Sequence, residues 1–202
     1  RRPLQHFDSE PSRREPNRGT HLMILESIVN NENSEGFTVA DLDEISARYD
    51  PPSQALTEMV RRIANLLELD VCSIYVLEPD RQHLCLAATM GLNQSSVGQV
   101  RMKISEGLAG LVAEQSISVS VIAAAEHPRF KYFPEAGEER YCSFLGLPVV
   151  ESDQLQGVLV VQTIEAREFS KTELKLLTSC AESIAPHVSR CRLVEYVDPD
   201  VN

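Results

Sequence analysis

Cationic and aromatic side chains are concentrated in one part of the chain, between residues 127 and 144. Guanidinium and ammonium groups hold carboxylates through charge-assisted hydrogen bonds, and aromatic rings can close over a ligand held in this way. The segment therefore predicts a pocket for a small anionic molecule. The alternative is a packed surface loop in which Glu135, Glu138 and Glu139 neutralise the same cations. The cationic and aromatic candidates are Arg129, Phe130, Lys131, Tyr132, Phe133, Arg140 and Phe144.

A predicted helix supplies a second group of candidates, because Ser105 is a typical N-cap residue. The free amide groups at the start of that helix could meet an anion, and Glu106 and Gly107 would lie beside it. The Glu106 carboxylate could instead be the partner of these amides. Tyr75 and Thr89 lie on predicted strands, where they could face the pocket or belong to the ordinary core.

The five cysteines are the residues that could carry redox chemistry. Such catalysis needs an accessible thiolate of low pKa with a resolving partner, whereas free cysteine is mostly a small buried hydrophobe. Cys72, Cys85 and Cys142 are the candidates, but no activating base is visible in the sequence. The odd number of cysteines argues against a disulfide framework, and His83 near Cys85 is weak evidence for a metal. We expect no catalytic centre, no metal site and no cofactor.

Composition narrows the class of partner. The chain has 202 residues, 43% of them hydrophobic, which suits one well-buried domain with flanking segments. The formal net charge of -11 repels phosphate backbones and anionic membranes, so we expect neither nucleic acid nor membrane as a partner. No apolar run is long enough to cross a bilayer, and no secretory signal is present, which predicts a cytoplasmic protein.

Proline and polar clusters divide the chain into four parts. Residues 1–19 are rich in proline and arginine and predict a flexible tail. Residues 20–50 predict a helical extension, with one helix around residues 22–29 and a second that Thr38 and Asp41 open as a capping box. Residues 51–193 form the predicted domain, and residues 194–202 are expected to link it to a region absent from this sequence.

The predicted elements of the domain follow the order helix, three strands, helix, strand, long loop, two strands, helix. Turn signals such as Glu78-Pro79-Asp80-Arg81 separate neighbouring strands, so hairpins dominate and the sheet should be largely antiparallel. The fold class is therefore α+β. The first helix is predicted from Ser53 to Leu69, and the long loop from Ala123 to Ser143. The strands are predicted at 71–77, 83–89, 100–104, 117–121, 144–150 and 155–163.

The last helix has the clearest start and one apolar stripe. Ser170 and Glu173 have the spacing of a capping box, and Phe169 and Leu174 that of a hydrophobic staple. Pro186 predicts a kink. The stripe repeats every three or four residues, which is typical of a coiled-coil contact and predicts a homodimer through the terminal helices. Its members are Leu174, Leu177, Ala181, Ile184, Val188 and Cys191.

Six motifs, in this order, resemble a GAF domain from about residue 53 to 190, and more narrowly the N-terminal GAF domain of nitrogen-branch phosphoenolpyruvate-protein phosphotransferases. The stretch from His127 to Arg140 is the specific part of the likeness. The resemblance implies a six-stranded antiparallel sheet with helices on one face and a loop-covered pocket on the other. The motifs are residues 70–75, 91–93, 106–112, 127–134, 137–140 and 143–148.

The resemblance also implies a function. It predicts a sensory domain that tunes phosphoryl transfer from phosphoenolpyruvate in response to nitrogen status, with glutamine or 2-oxoglutarate as the ligand. Two alternatives remain open from the residues. One is a GAF domain without a ligand that serves for dimerisation or docking, and the other is a redox enzyme similar to the free methionine sulfoxide reductases of this fold.

Overall fold

The computed structural model describes residues 41–195 of the chain. The predicted tail at 1–19, the predicted helix at 22–29, Thr38 of the first capping box and the linker after residue 195 lie outside the described residues. Within 41–195, no helix is long and apolar enough to span a membrane.

The element order of the predicted domain is confirmed, with one short helix before it. Four helices and six strands form between residues 41 and 195. In chain order they are α1 (Asp41–Arg48), α2 (Pro52–Leu66), β1 (Val71–Leu77), β2 (His83–Met90), β3 (Arg101–Lys103), α3 (Gly107–Gln115), β4 (Val119–Val121), β5 (Ser143–Glu151), β6 (Gln154–Thr163) and α4 (Lys171–Glu195).

The strands form one six-stranded sheet in the order β3-β2-β1-β6-β5-β4, and every neighbouring pair is antiparallel. The predicted α+β class is confirmed. The turn between β1 and β2 is held by Asp80, whose Oδ1 accepts the backbone N–H groups of Gln82 at 2.8 Å and His83 at 3.1 Å. Such Asx bonds supply the backbone partners that the tight turn would otherwise lack.

Helix α2 ends earlier than its apolar stripe predicts. It stops at Leu66 rather than Leu69, because Glu68 adopts a φ of 50°, in the left-handed region that terminates a helix. Its start agrees with the sequence, since Pro52 occupies the first turn, where its missing N–H group costs nothing.

Apolar side chains cover both faces of the sheet. On one face, the helix cluster joins the inner sides of α1, α2 and α4 to alternate strand residues such as Ile74 and Leu147. On the other face, the pocket cluster joins Tyr75, Phe144 and Val160 to α3 and to the loop between β4 and β5. Because successive residues of a strand point to opposite faces, β1 contributes to both clusters and all of its residues are buried.

The predicted capping box of α4 is confirmed. The backbone N–H of Ser170 donates to Glu173 Oε2 at 2.8 Å, and the backbone N–H of Glu173 donates to Ser170 Oγ at 3.2 Å. The helix continues through Pro186. The apolar stripe has a different role from the predicted one, because Leu177, Ala181, Ile184, Val188 and Cys191 are buried in the helix cluster of their own domain. These five side chains are therefore occupied within the chain, whereas Leu174, the first member of the predicted stripe, is 38% exposed. The homodimer through the terminal helices stays a prediction.

Helix α1 packs on the same core, although it precedes the predicted domain. Leu42 is fully buried and Ile45 is 6% exposed, both within the helix cluster. Asp43 Oδ1 lies 3.0 Å from His187 Nε2 of α4, which joins the two helices at their surface.

We expect Leu42→Ala to lower the free energy of unfolding by about 3 kcal/mol, because it removes a fully buried side chain and leaves a cavity. Leu193→Ala is the matched control, since Leu193 is 59% exposed and its truncation should change stability by less than about 0.5 kcal/mol. Chemical denaturation of both variants measures the difference. Equal stabilities would mean that α1 does not belong to the cooperative core.

Candidate functional site

A small cavity lies between the sheet, the start of α3 and the loop that joins β4 to β5. Its volume is about 30 Å³. The loop is fastened over the sheet at several points: Asn93 Nδ2 donates to the Glu135 carbonyl at 3.0 Å, and the Tyr141 hydroxyl donates to the Gly91 carbonyl at 2.6 Å. The lining residues are Tyr75, Met102, Gly107, Leu108, Ala109, Ala124, Phe130, Lys131, Phe133, Glu138, Phe144, Val160 and Gln162.

Four polar side chains line this cavity among mostly apolar residues. Lys131 and Glu138 come from the loop, Tyr75 from β1 and Gln162 from β6. Lys131 pairs with Glu106, whereas the other three lie close to one another. Glu138 Oε1 accepts the backbone N–H of Phe133 at 3.2 Å, and the carboxylate also accepts a hydrogen bond from the Gln162 side chain. Gln162 is 5% exposed, so the carboxylate and the amide satisfy each other where water has little access.

Burial decides the protonation of these groups. It raises the pKa of Glu138 above the ordinary value, although the hydrogen bonds from Phe133 and Gln162 partly oppose the shift. Burial, followed by the nearby charge of Glu138, also raises the pKa of Tyr75. The Tyr75 phenol therefore stays neutral and can donate a hydrogen bond, while Glu138 is an acceptor that takes up a proton more readily than an exposed carboxylate.

The start of α3 forms one wall of the cavity but is capped differently from the prediction. Glu106, not Ser105, holds the N-cap position, and no side chain caps the helix there. The chain turns into the helix at Gly107, whose φ is 67°. The Glu106 carboxylate accepts the backbone N–H of Lys103 at 3.2 Å and pairs with Lys131 Nζ at 3.0 Å. The hydrogen bond from the Lys131 side chain and, second, that from the Lys103 backbone lower the pKa of Glu106.

The structure divides the predicted ligand contacts into two groups. Five of them line the cavity: Tyr75, Gly107, Phe130, Phe133 and Phe144. The other five do not: Thr89, Glu106, Arg129, Tyr132 and Arg140.

The predicted guanidinium clamp does not form, because both arginines have partners elsewhere. Arg129 Nη1 lies 2.9 Å from Glu114 Oε2, and its Nη2 donates to the Ser105 carbonyl at 2.8 Å. Arg140 is exposed and donates to the Tyr141 hydroxyl at 2.8 Å. Thr89 forms a buried hydroxyl pair with Ser73 at 2.7 Å instead of facing the cavity.

The alternative of a packed surface loop is correct for some of these charges, with different partners. Arg129 and Lys131 pair with Glu114 and Glu106 of the α3 region, and not with the acidic residues of the loop. Within the loop, the Tyr132 hydroxyl donates to Glu139. These two cations therefore fasten the loop to the α3 region, and neither of them pairs with Glu138.

Sequence reasoning missed Glu138 and Gln162 as members of the site. Gln162 could have been found, because it follows Val158 and Val160 at the strand period and so must point into the pocket cluster. A polar residue at an inward position of a strand is an informative signal. Glu138 gave no such signal, since its neighbours in the loop follow no regular period.

The size of the cavity limits what it holds in this conformation. Ligand pockets usually measure about 300–1,000 Å³, whereas a cavity of about 30 Å³ accommodates roughly one water molecule. The rings of Phe130 and Phe133 form part of its wall on the loop side. A metabolite would fit only if the loop moved away from the sheet.

The cysteines are placed unfavourably for thiolate chemistry. Cys72 and Cys180 are fully buried, and burial raises the pKa of both thiols, that of Cys180 to about 12. Cys85 is buried as well, and Cys142 is exposed at the end of the loop. Among residues 41–195, no cysteine lines the cavity. The buried cysteines therefore lack the accessibility that redox catalysis needs, and the exposed Cys142 lies outside the cavity.

One cluster within the described residues has metal-ligand types, namely Glu78, Asp80 and His83. Arg101 already contacts it, with Nη2 at 2.8 Å from Glu78 Oε2, and His83 Nδ1 lies 2.6 Å from Asp80 Oδ2. These groups neutralise one another as an exposed ion-pair network that ties β3 to the turn between β1 and β2.

Glu138→Gln should stabilise the domain at neutral pH. A carboxyl whose pKa is raised on folding stabilises the protein only when protonated, and that contribution is lost as the pH rises through the folded pKa. We expect the variant to melt at a higher temperature than the wild type at pH 7.5, because it removes the charge and its amide oxygen still accepts from Phe133. The difference should shrink towards pH 4, where Glu138 of the wild type is also neutral. Glu135→Gln is the matched control, and thermal melts across this pH range measure both. A pH-independent difference would contradict the raised pKa of the Glu138 carboxyl.

The comparisons with known proteins agree with this architecture. The GAF domain family matches residues 50–189. The Escherichia coli K12 protein named phosphoenolpyruvate-dependent phosphotransferase system is 36% identical over 141 residues, which is 70% of this chain. The chain spans only 19% of the length of that relative.

Solved structures show the same likeness. The GAF domain of a phosphoenolpyruvate-protein phosphotransferase from Coxiella burnetii is 33% identical, with a TM-score of 0.69 over 88% of this chain and 97% of that chain. The free methionine-R-sulfoxide reductase from Neisseria meningitidis has a TM-score of 0.62 at 16% identity, over 94% of this chain and 98% of that chain, which is a likeness of fold alone. The extent of the family match and the identity to these phosphotransferase domains show that the chain belongs to the GAF domain family.

Proposed function

We propose that this GAF domain is a sensor that binds a small molecule and regulates an attached phosphoenolpyruvate-dependent phosphotransferase in the cytoplasm. The observation that carries the proposal is the loop-covered cavity in which Tyr75, Glu138 and Gln162 meet within an apolar wall. Ligand pockets commonly combine such a wall with a few convergent polar groups. The similarity to GAF domains of phosphoenolpyruvate-protein phosphotransferases supports the link to phosphoryl transfer.

The polar groups of the cavity favour glutamine over 2-oxoglutarate. A dicarboxylate would bring two negative charges towards Glu138, and the lysine that lines the cavity, Lys131, already pairs with Glu106 at 3.0 Å. Glutamine offers an ammonium group and an amide N–H to the Glu138 carboxylate, and a carbonyl to the Tyr75 phenol. A glutamine-responsive domain would report nitrogen status, which agrees with the nitrogen-branch phosphotransferases that the sequence resembles.

The end of the loop offers a route from the cavity to α4. Ser143 is fully buried where the loop meets β5, and its Oγ accepts the backbone N–H of Arg167 at 2.7 Å. Arg167 Nη2 in turn pairs with Glu173 Oε1 at 2.9 Å, in the first turn of α4. A ligand that holds the loop open would therefore displace the residues that begin α4, and the helix leads out of the domain towards the attached enzyme.

A second candidate function is docking without a ligand. The volume of about 30 Å³ favours it, because the closed conformation has no room for a metabolite. The end of α4 would provide the contact, since Leu193 is 59% and Val194 60% exposed and both are apolar. A homodimer through the terminal helices would use this end of α4.

Isothermal titration calorimetry with glutamine and 2-oxoglutarate separates the candidates. We expect glutamine to bind the chain at least about tenfold more tightly than 2-oxoglutarate. The reason is that the second carboxylate of 2-oxoglutarate would be repelled by the Glu138 carboxylate where little water screens the two charges. Glu138→Gln should reduce that preference, because it removes the negative charge and keeps the shape of the side chain. Glu135→Gln, outside the cavity, should keep the wild-type preference.

Binding of neither compound would favour the docking function. Tighter binding of 2-oxoglutarate, unchanged by Glu138→Gln, would contradict the assignment of Glu138 as the selective group.

A further inference from the structure

The two edges of the sheet differ in charge. Among the described strands, β3 ends the sheet on one side and β4 on the other. The β3 edge carries Arg101 and Lys103, both exposed, and charged side chains on an edge strand discourage pairing with another strand. The β4 edge has no such protection. The ten residues from Ser116 to Ala125 include no charged residue, no proline and no glycine.

The unprotected edge is also exposed and partly apolar. Ile117 is 54% and Ile122 43% exposed, at the two ends of β4. Val119 and Val121 are half-buried against the pocket cluster, and Ser120 between them is exposed. Within residues 41–195, β4 is hydrogen-bonded to β5 alone, so its other side presents backbone donors and acceptors to solvent.

We propose that β4 pairs with β4 of a second copy of the chain, so that two six-stranded sheets join edge to edge. This inference is independent of the proposed sensory function, since the strand contains none of the polar residues Tyr75, Glu138 and Gln162 of the cavity.

Symmetry restricts the register of such a pair, because one residue must lie on the two-fold axis. Two antiparallel strands at a shared edge are related by a two-fold axis perpendicular to the sheet, and each face of the sheet then continues into the same face of the other copy. Ser120, the middle residue of β4, would lie on the axis opposite Ser120 of the second copy. Val119 would face Val121 of the second copy on the pocket side, as an apolar pair of β-branched residues.

Charge explains why a second copy fits this edge. The net charge of -11 makes two copies repel each other, and in an isologous contact the residues next to the two-fold axis lie near their own equivalents in the second copy. A charged residue near the axis would therefore meet a like charge, and Ser116–Ala125 contains none. The strand is short, so the dimer should be weak and concentration-dependent. Added salt should strengthen it by screening the overall repulsion.

Sedimentation equilibrium of the 202-residue chain tests the proposal with a matched pair of variants. Ser120→Lys places two ammonium groups at the axis and should weaken the dimer roughly tenfold or more. Ser95→Lys makes the same change at an exposed serine in the turn at Gln94–Ser96 and should leave the dimer unchanged. Circular dichroism melts establish that both variants fold.

Cross-linking gives a second measurement that does not depend on the strength of the dimer. In a Cys142→Ser background, which removes the one exposed native thiol among residues 41–195, Ser120→Cys should form an intermolecular disulfide on mild oxidation. Residues that face each other in an antiparallel pair have Cα atoms about 4.5–5.5 Å apart, within the range a disulfide spans. Ser95→Cys in the same background should stay monomeric.

Three results would overturn the proposal. The chain could sediment as a monomer at every concentration tested, the Ser120→Lys dimer could be as tight as the wild type, or Ser120→Cys could fail to cross-link while a dimer is present. A dimer that survives Ser120→Lys but is lost in Leu193→Lys would assign the contact to α4 instead.

Discussion

The central strands β1 and β6 bury side chains on both faces of the sheet. The rest of the domain therefore has to cover both faces. All of β1 is buried, and so is β6 from Gln156 to Thr163. Helices α1, α2 and α4 cover one face with regular amphipathic stripes. The other face is covered by α3 and by a loop of about twenty residues, which has no regular apolar period and is held by individual hydrogen bonds at Asn93, Tyr141 and Ser143.

This irregular cover explains why a ligand site is proposed on that face. A helix packed on a sheet excludes space by the regular interlocking of its side chains, whereas a loop leaves a gap wherever its backbone turns away. The gap here is small, and its wall brings a half-buried carboxylate beside an amide and a phenol. Burying Glu138 without a cation is unfavourable, and a ligand with donor groups would relieve that cost.

Several charged side chains on the surface of this domain form ion pairs within it. The loop cations are used to fasten the loop to α3, and Arg101 ties β3 to the neighbouring turn. The apolar stripe of α4 is used inside the domain, so its period alone says nothing about a partner. Within residues 41–195, the uncharged edge at β4 and the exposed end of α4 are the two surfaces proposed for a partner, and both can be tested by single substitutions.

The amino-acid sequence by itself determined the elements whose signals are local. The capping box at Ser170, the turn after Leu77 and the apolar periods of the helices act within a few residues, and the structure has the corresponding helix start, hairpin and buried stripes. Half of the predicted ligand contacts line the cavity, namely four of the five aromatic residues and Gly107. Tyr132 is the aromatic exception, because its hydroxyl donates to Glu139 within the loop. Only the tertiary structure decided that Glu138, and not Arg129 or Arg140, turns inward to meet Gln162 of β6. Such pairing depends on which residues distant in sequence the packing brings together, and no local pattern carries that information.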